Sequence, residues 1–259
     1  MLMGTRQHEI LKLLELNQQM TIGELAEKFN VSQMTIRRDL DQLQSEGKIQ
    51  RSHGGAVKVK RFMGSNYDQR ASENKAEKLA IAKEAAKHIQ DGMSIILDAG
   101  TTVAAMVDEL EQFKGLKIIT RDLHTALLLS NEERFGSFDV YCTGGRLSKW
   151  AYSLDGIYAE KMLSSLTVDV AFLTCEAVSH AKGAMAWSPV LVGARQTAMN
   201  AAGVNILLAD STKFSYNSLA IFAGLDAFDE IITDDGLDED ELEVYRTAGY
   251  AVRAVPAES

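Results

Sequence analysis

Ser32-Gln33-Met34-Thr35-Ile36-Arg37-Arg38-Asp39-Leu40-Asp41-Gln42-Leu43 is the stretch on which the reading of this chain turns. Ser32 is a strong N-cap residue, and Ile36, Leu40 and Leu43 repeat at helical spacing, so the segment is expected to be a helix that ends at Gly47. Upstream, Ile22, Leu25, Ala26 and Phe29 recur at i, i+3, i+4 and i+7, and Asn30-Val31 supplies a tight turn between the two helices. Ile10, Leu13 and Leu14 mark the apolar face of a still earlier helix. None of the three is long enough to stand alone in water, whereas packed together they make a helix-turn-helix unit.

Polar residues on the third helix decide what such a unit would do. Gln33, Met34, Arg37 and Arg38 lie off the apolar face, in the first two turns. A recognition helix presents this part of itself to the major groove, where Arg pairs with guanine, Gln pairs with adenine, and an apolar side chain touches the thymine methyl. The Ser32 and Thr35 hydroxyls suit phosphate oxygens. After Gly47, residues 48–58 read as two short strands around Gly54-Gly55, a wing that carries Arg51, His53 and Lys58 to the DNA backbone. A lone Arg-Arg pair would mean only a solvated helix; cap, turn, basic face and basic hairpin in sequence argue for double-stranded DNA.

Charge divides along the same line. The 259-residue chain has a formal charge of −9. Residues 1–61 carry 10 Lys and Arg against 7 Asp and Glu, a balance of +3, while the remainder carries 17 against 29, a balance of −12. A basic arm on an acidic body separates a polyanion-binding part from one with another task. With 46% hydrophobic and 24% charged residues, the chain is not a disordered one.

The expected division is a winged helix-turn-helix over residues 1–58, a linker over 59–74 without periodicity, and a body over 75–259. Within the body, strands are expected at 94–98, 117–120, 139–143, 169–173, 205–209, 230–233 and 250–255. Helices are expected from Lys75 to Ile89 and at 101–112, 157–165, 192–202 and 238–248. That alternation predicts an α/β domain with a mostly parallel sheet. Ligands of such sheets bind beyond the carboxyl ends of strands. Three strand ends carry fitting chemistry: Asp98-Ala99-Gly100-Thr101-Thr102, with a tight glycine and two hydroxyls at a helix start; Thr143-Gly144-Gly145-Arg146; and Asp210-Ser211-Thr212-Lys213, with a point charge for an anion. Each read singly is an ordinary N-cap, turn or surface charge, and their shared location argues for one pocket. No dinucleotide fingerprint or P-loop is present, so a nucleotide is not indicated.

At this point the chain resembles the DeoR family of bacterial sugar-metabolism regulators. The resemblance lies in Thr35-Ile36-Arg37-Arg38-Asp39-Leu40, in Gly47 with Arg51-Ser52-His53-Gly54-Gly55-Ala56, in Arg70 and the stretch from Lys78 to Ala82, and in Asp98-Ala99-Gly100-Thr101-Thr102, Gly144-Gly145, Asp155-Gly156 and Asp210-Ser211-Thr212-Lys213-Phe214. It implies a recognition segment from Ser32 to Arg38, a wing at Gly54-Gly55, and a Rossmann-like, ribose-5-phosphate isomerase-like sensor domain for phosphorylated sugars or related metabolites. Asp98, Gly100, Thr101, Thr102, Gly144, Gly145 and Lys213 are then the expected effector residues. Two positions depart from the family: Arg121 stands where Asn is usual, and residues 187–195 lack the usual acidic pattern. Arg121 is therefore an expected second clamp, for a more anionic ligand.

The rival reading is a sugar-phosphate isomerase, for which Asp235-Gly236-Leu237-Asp238-Glu239 offers the carboxylates. It opens an acidic helix, where carboxylates favour the helix dipole, and no Lys-Gly-Gly-Gly completes an acid/base set, so catalysis is not expected. The expected protein is a transcriptional regulator, a repressor of a carbohydrate-metabolism operon, acting as a homodimer or homotetramer without a cofactor or metal. Cys142 and Cys175 have no metal or redox spacing and read as buried core thiols. No signal or membrane segment is evident, and the expected compartment is the cytoplasm.

Overall fold

The computed structural model describes residues 3–17, 19–45, 49–52, 55–58, 60–61 and 67–257. Its N-terminal part runs α1 (Met3–Asn17), β1 (Gln19–Thr21), α2 (Ile22–Phe29) and α3 (Gln33–Ser45). A capping box starts α2: Glu24 N–H donates to the Thr21 hydroxyl, and Thr21 N–H donates to the Glu24 carboxylate. Asn30 ends it in the left-handed conformation, with Val31 N–H donating to Ala26 O at 3.0 Å. The chain so reverses directly into Ser32, whose hydroxyl accepts from Thr35 N–H at 3.2 Å as the cap of α3. Ile10, Leu14, Leu25, Ile36, Leu40 and Leu43 are buried together, the apolar faces read from the sequence. Arg6 on α1 donates to both carboxylate oxygens of Asp39 on α3, a buried tie that the periodicity did not reveal. β2 (Ile49–Ser52) and β3 (Gly55–Lys58) form the antiparallel wing, and β1 pairs on the far side of β3.

β4 (Lys60–Arg61) and α4 (Tyr67–Ser72) follow, then α5 (Lys75–Ala86). The stretch expected to be linker at 59–74 thus contains a helix. A buried aromatic seats α4 on the body: Tyr67 packs against His124 and Tyr152, with ring centroids 4.8 and 5.4 Å away. Six residues held by contacts outside the helix have no period to read.

The body begins with β5 (Ser94–Leu97), α6 (Thr101–Ala104), β6 (Lys117–Thr120), α7 (Leu123–Leu129), α8 (Glu132–Phe135) and β7 (Asp139–Cys142). A hairpin of β8 (Arg146–Ser148) and β9 (Ser153–Asp155) leads to α9 (Ile157–Leu163) and β10 (Val168–Thr174). Next come β11 (Ala177–Ser179), β12 (Gly183–Ala186), α10 (Val190–Ala201) and β13 (Ala202–Leu208). β14 (Tyr216–Asn217), β15 (Ala220–Ala223), β16 (Glu230–Asp234), α11 (Glu239–Thr247) and β17 (Val252–Val255) complete it. The helix expected at 101–112 is broken into α6 and a 3-10 turn over Asp108–Gln112.

Seven strands form one parallel sheet in the order β17-β16-β13-β10-β5-β6-β7. Their alternation feeds two cores. Ile95 and Leu97 pack with Ile81 and Ala85 of α5 on one face, while Ile96 and Leu173 pack with Ala194 and Ala198 of α10 on the other. The expected fold class is borne out: a winged helix-turn-helix followed by a doubly wound α/β body. The chain runs outward from β5 through β6 to β7, then returns to the opposite side of β5 at β10. That reversal opens a crevice at the carboxyl ends of β5 and β10, the usual ligand position in such sheets. Among the described residues, no helix is long and apolar enough to cross a membrane.

Candidate DNA-binding face and ligand cleft

Ser32 at the cap and Gln33, Met34, Arg37 and Arg38 on α3 are all exposed, on the side away from Ile36 and Leu40. Met34 is 61% exposed, a conspicuous value for a methionine beside two arginines. The Ser32 and Thr35 hydroxyls lie 2.9 Å apart and engage each other at the cap. Arg51 and Lys58 fall on the two wing strands; His53 and Gly54 lie outside the described residues. Gly55 departs from its expected role. It is buried, and a Cβ there would meet the Met20 carbonyl oxygen at 2.2 Å, so the glycine admits β1 to the sheet instead of facing DNA.

The crevice between β5 and β10 is a cleft with Gly100, Thr101 and Thr102 on one wall and Arg70, Arg195 and Lys213 among its cations. Beneath it runs a buried ionic chain. Arg121 donates from Nε to Asp98 Oδ1 at 2.5 Å and from Nη1 to Asp155 Oδ1. Arg195 donates from Nε to Asp98 Oδ2 at 3.2 Å, and its two terminal nitrogens fork onto Glu176 at 2.8 and 3.1 Å. The Thr174 backbone N–H adds a further donor to Asp98 at 3.2 Å. Burial alone would raise the Asp98 pKa, but Arg121 and Arg195 outweigh it and hold the carboxyl below its ordinary value. Burial would likewise lower Arg195; Glu176 and Asp98 prevail and raise it.

This geometry corrects three expectations. Asp98 does not face a ligand: it is 1% exposed and anchors both arginines. Arg121 lines the cleft, yet Asp98 and Asp155 match its charge, so it adds no surplus for a more anionic ligand. Its role is to tie β5 to the hairpin β8–β9. Gly144 and Gly145 are not in the cleft lining either. They end the edge strand β7 and turn the chain into that hairpin, where a Cβ on Gly145 would meet Asp155 O at 2.8 Å. The first and third strand ends do converge, through Gly100–Thr102 and Lys213, whose Nζ lies 3.7 Å from Asp210 Oδ2. Arg70 was not among the expected effector residues, because nothing in its own segment places α4 against the cleft.

Asp238 accepts from Glu241 N–H at 2.8 Å as the N-cap of α11, the bland role foreseen for the acidic motif. Cys175 is buried as expected, but Cys142 is exposed because β7 is an edge strand. Among the described residues no group of three or more His, Cys, Asp or Glu is placed to hold a metal ion.

Gly100 has φ of +152°, and a Cβ there would lie 3.0 Å from Thr174 Oγ1. Gly100→Ala is expected to destabilise the body by about 1–3 kcal/mol, read by urea denaturation, since both the backbone region and the contact are unfavourable for alanine. An unchanged midpoint would show that the wall of the cleft is not tightly built.

A helix-turn-helix reader with an exposed basic face, joined to an α/β domain with a cleft at its switch point, defines a ligand-responsive DNA-binding regulator as the class of protein. Comparison with known proteins narrows it. Residues 6–62 match the family model for the DeoR-like helix-turn-helix domain, and residues 73–235 match that for the DeoR C terminal sensor domain. The chain belongs to the DeoR family of transcriptional regulators. It is 34% identical over 260 residues to the uncharacterized HTH-type transcriptional regulator YulB of Bacillus subtilis, covering 99% of this chain and 98% of that one. It is also 34% identical over 244 residues to the lactose phosphotransferase system repressor of Lactococcus lactis, covering 93% and 94%. Among solved structures, ribose 5-phosphate isomerase A from Methanocaldococcus jannaschii matches with a TM-score of 0.40 and 21% identity over 55% of each chain.

Proposed function

We propose that this regulator is a repressor of a carbohydrate-metabolism operon, released or tightened by a phosphorylated sugar or comparable anionic metabolite held in the switch-point cleft. The observation that carries the reading is the cleft itself. Lys213, Thr101 and Thr102 border one crevice in a body with a net charge of −12 over residues 62–259. So acidic a body is a poor general attractor of anions, and the local set must hold a phosphate. The repressor named for the lactose phosphotransferase system supports the direction of control. The base-reading residues are Gln33, Met34, Arg37 and Arg38, and the wing supplies phosphate contacts from Arg51 and Lys58. A homodimer or homotetramer fits this use, because two recognition helices on half-sites one DNA turn apart bind far more tightly than one. The body binds its effector without converting it, Asp238 being engaged as a cap and not as an acid or base.

Calorimetric titration of the full-length protein with a panel of sugar phosphates, each beside its unphosphorylated sugar, tests the cleft. One phosphorylated member is expected to bind, and Lys213→Ala combined with Thr101→Ala is expected to weaken it at least tenfold. Retained affinity in the double variant would move the site elsewhere.

A further inference from the structure

We infer that α4 is the element that carries cleft occupancy to the DNA-binding arm, with Arg70 as its sensing residue; the inference rests on the effector reading of the cleft. Arg70 lies on α4 and lines the cleft, ten residues before Ala80 of the sheet-packed helix α5 and nine residues after Arg61 of β4. The family match for the DNA-binding domain ends at 62 and that for the sensor starts at 73, so Arg70 belongs to the segment between the two. Three ties hold α4 to the body at different points. Tyr67 packs on Tyr152 of the segment leading into β9, and on His124 of α7. The buried Lys78 ammonium donates to the Arg70 and Glu73 carbonyl oxygens at the end of the helix. Asn74 Nδ2 donates to Asp210 Oδ1 at 3.2 Å, tying the end of α4 to the turn that bears Lys213.

That turn leads within three residues to β14, and β14 pairs with β4, matching Tyr216 to Lys60 and Asn217 to Arg61. α4, through Asn74 and Asp210, and Lys213, through residues 214–215, therefore both lead to β14 and its pairing with β4 of the DNA-binding arm. Arg70 already feels the field of Glu176, and Lys213 that of Asp210. An anion in the cleft competes with both carboxylates for these cations. The resulting shift acts on α4 and on residues 211–217 together, and through β4 on the arm. An element with two arrangements that both sites bias is the physical requirement for such coupling.

Hydrogen exchange of the full-length protein tests this, with inorganic phosphate as the probe and chloride at equal ionic strength as the control. Phosphate is expected to change exchange at least threefold in 67–72 and in 211–217, alongside 99–104. In Arg70→Gln the change at 99–104 is expected to persist, while that at 67–72 falls away, with affinity for promoter DNA in chloride within about threefold of wild type. A response confined to 99–104 in the wild type, or a wild-type response at 67–72 in the variant, would overturn the relay while leaving the cleft reading intact. Loss of both responses in the variant would make Arg70 an anion anchor only, again overturning the relay. No phosphate response anywhere would overturn the cleft reading and the relay with it.

Discussion

Asp98→Ala is expected to destabilise the protein by about 3–5 kcal/mol, because it strands two buried guanidinium groups at once. Arg121 and Arg195 are 4% and 2% exposed, and each directs its Nε at Asp98. Removing one partner of a buried ion pair leaves an uncompensated charge, which is costlier than never having built the pair. Against a typical domain stability of about 5–15 kcal/mol, the loss brings the body close to unfolding at ordinary temperature. Denaturation in urea gives the number; a change below about 1 kcal/mol would mean the chain of charges is not structural. The wild-type protein has a matching pH signature. Asp98 titrates below its unfolded value near 3.8, so its contribution is complete above that pH and disappears as the pH falls through the folded value. The acid limb of the stability curve should therefore steepen below about pH 4 in the wild type and flatten there in Asp98→Asn.

The second large effect belongs to α3. Arg37→Ala together with Arg38→Ala is expected to lower operator affinity at least roughly thirtyfold at fixed salt, since a good bidentate base contact contributes about 1–3 kcal/mol. Both residues are exposed beyond the first cap turn, and the helix beneath them is held by Ile36, Leu40 and the Arg6–Asp39 tie, none of which the substitutions touch. Circular dichroism should be unchanged. Salt dependence separates the two kinds of contact: a base reader alters sequence preference, whereas a phosphate contact weakens all sequences alike and reduces the salt slope by about one. Operator affinity unaltered by the double substitution would remove α3 as the reading element.

What the sequence made legible follows from periodicity. All seven strands of the parallel sheet were expected close to where they lie, and the central ones, buried on both faces, read as continuous apolar runs such as Ile95-Ile96-Leu97. The helix-turn-helix was legible for the complementary reason: the Ser32 cap and the Asn30-Val31 turn are written in single residues. Short pieces without a period were not legible. α4 is held by contacts from outside its six residues, and α7 begins at an Asp122 cap whose other carboxylate oxygen accepts from Gly100 N–H, 22 positions away. Charge pairing was hidden altogether. Nothing near Arg121 in sequence says that Asp98 and Asp155 will neutralise it, so an apparent anion clamp is a structural lock. Gly144-Gly145 misled because strand ends look alike in sequence, whereas of the three ends singled out only that of β7, the edge strand, lies too far from the reversal between β5 and β10 to line the cleft.

The central claim is that this DNA reader answers to an anionic metabolite, and reciprocity tests it most directly. Fluorescence anisotropy of full-length protein on the DNA flanking its own coding region, at one salt concentration, is measured with and without each member of a sugar-phosphate panel. One member is predicted to change operator affinity at least tenfold, about 1.4 kcal/mol, and saturating operator is predicted to change that member's own affinity by the same factor. Sequence-specific DNA binding that no phosphorylated sugar alters, or a sugar phosphate that binds equally well with and without operator, would contradict it.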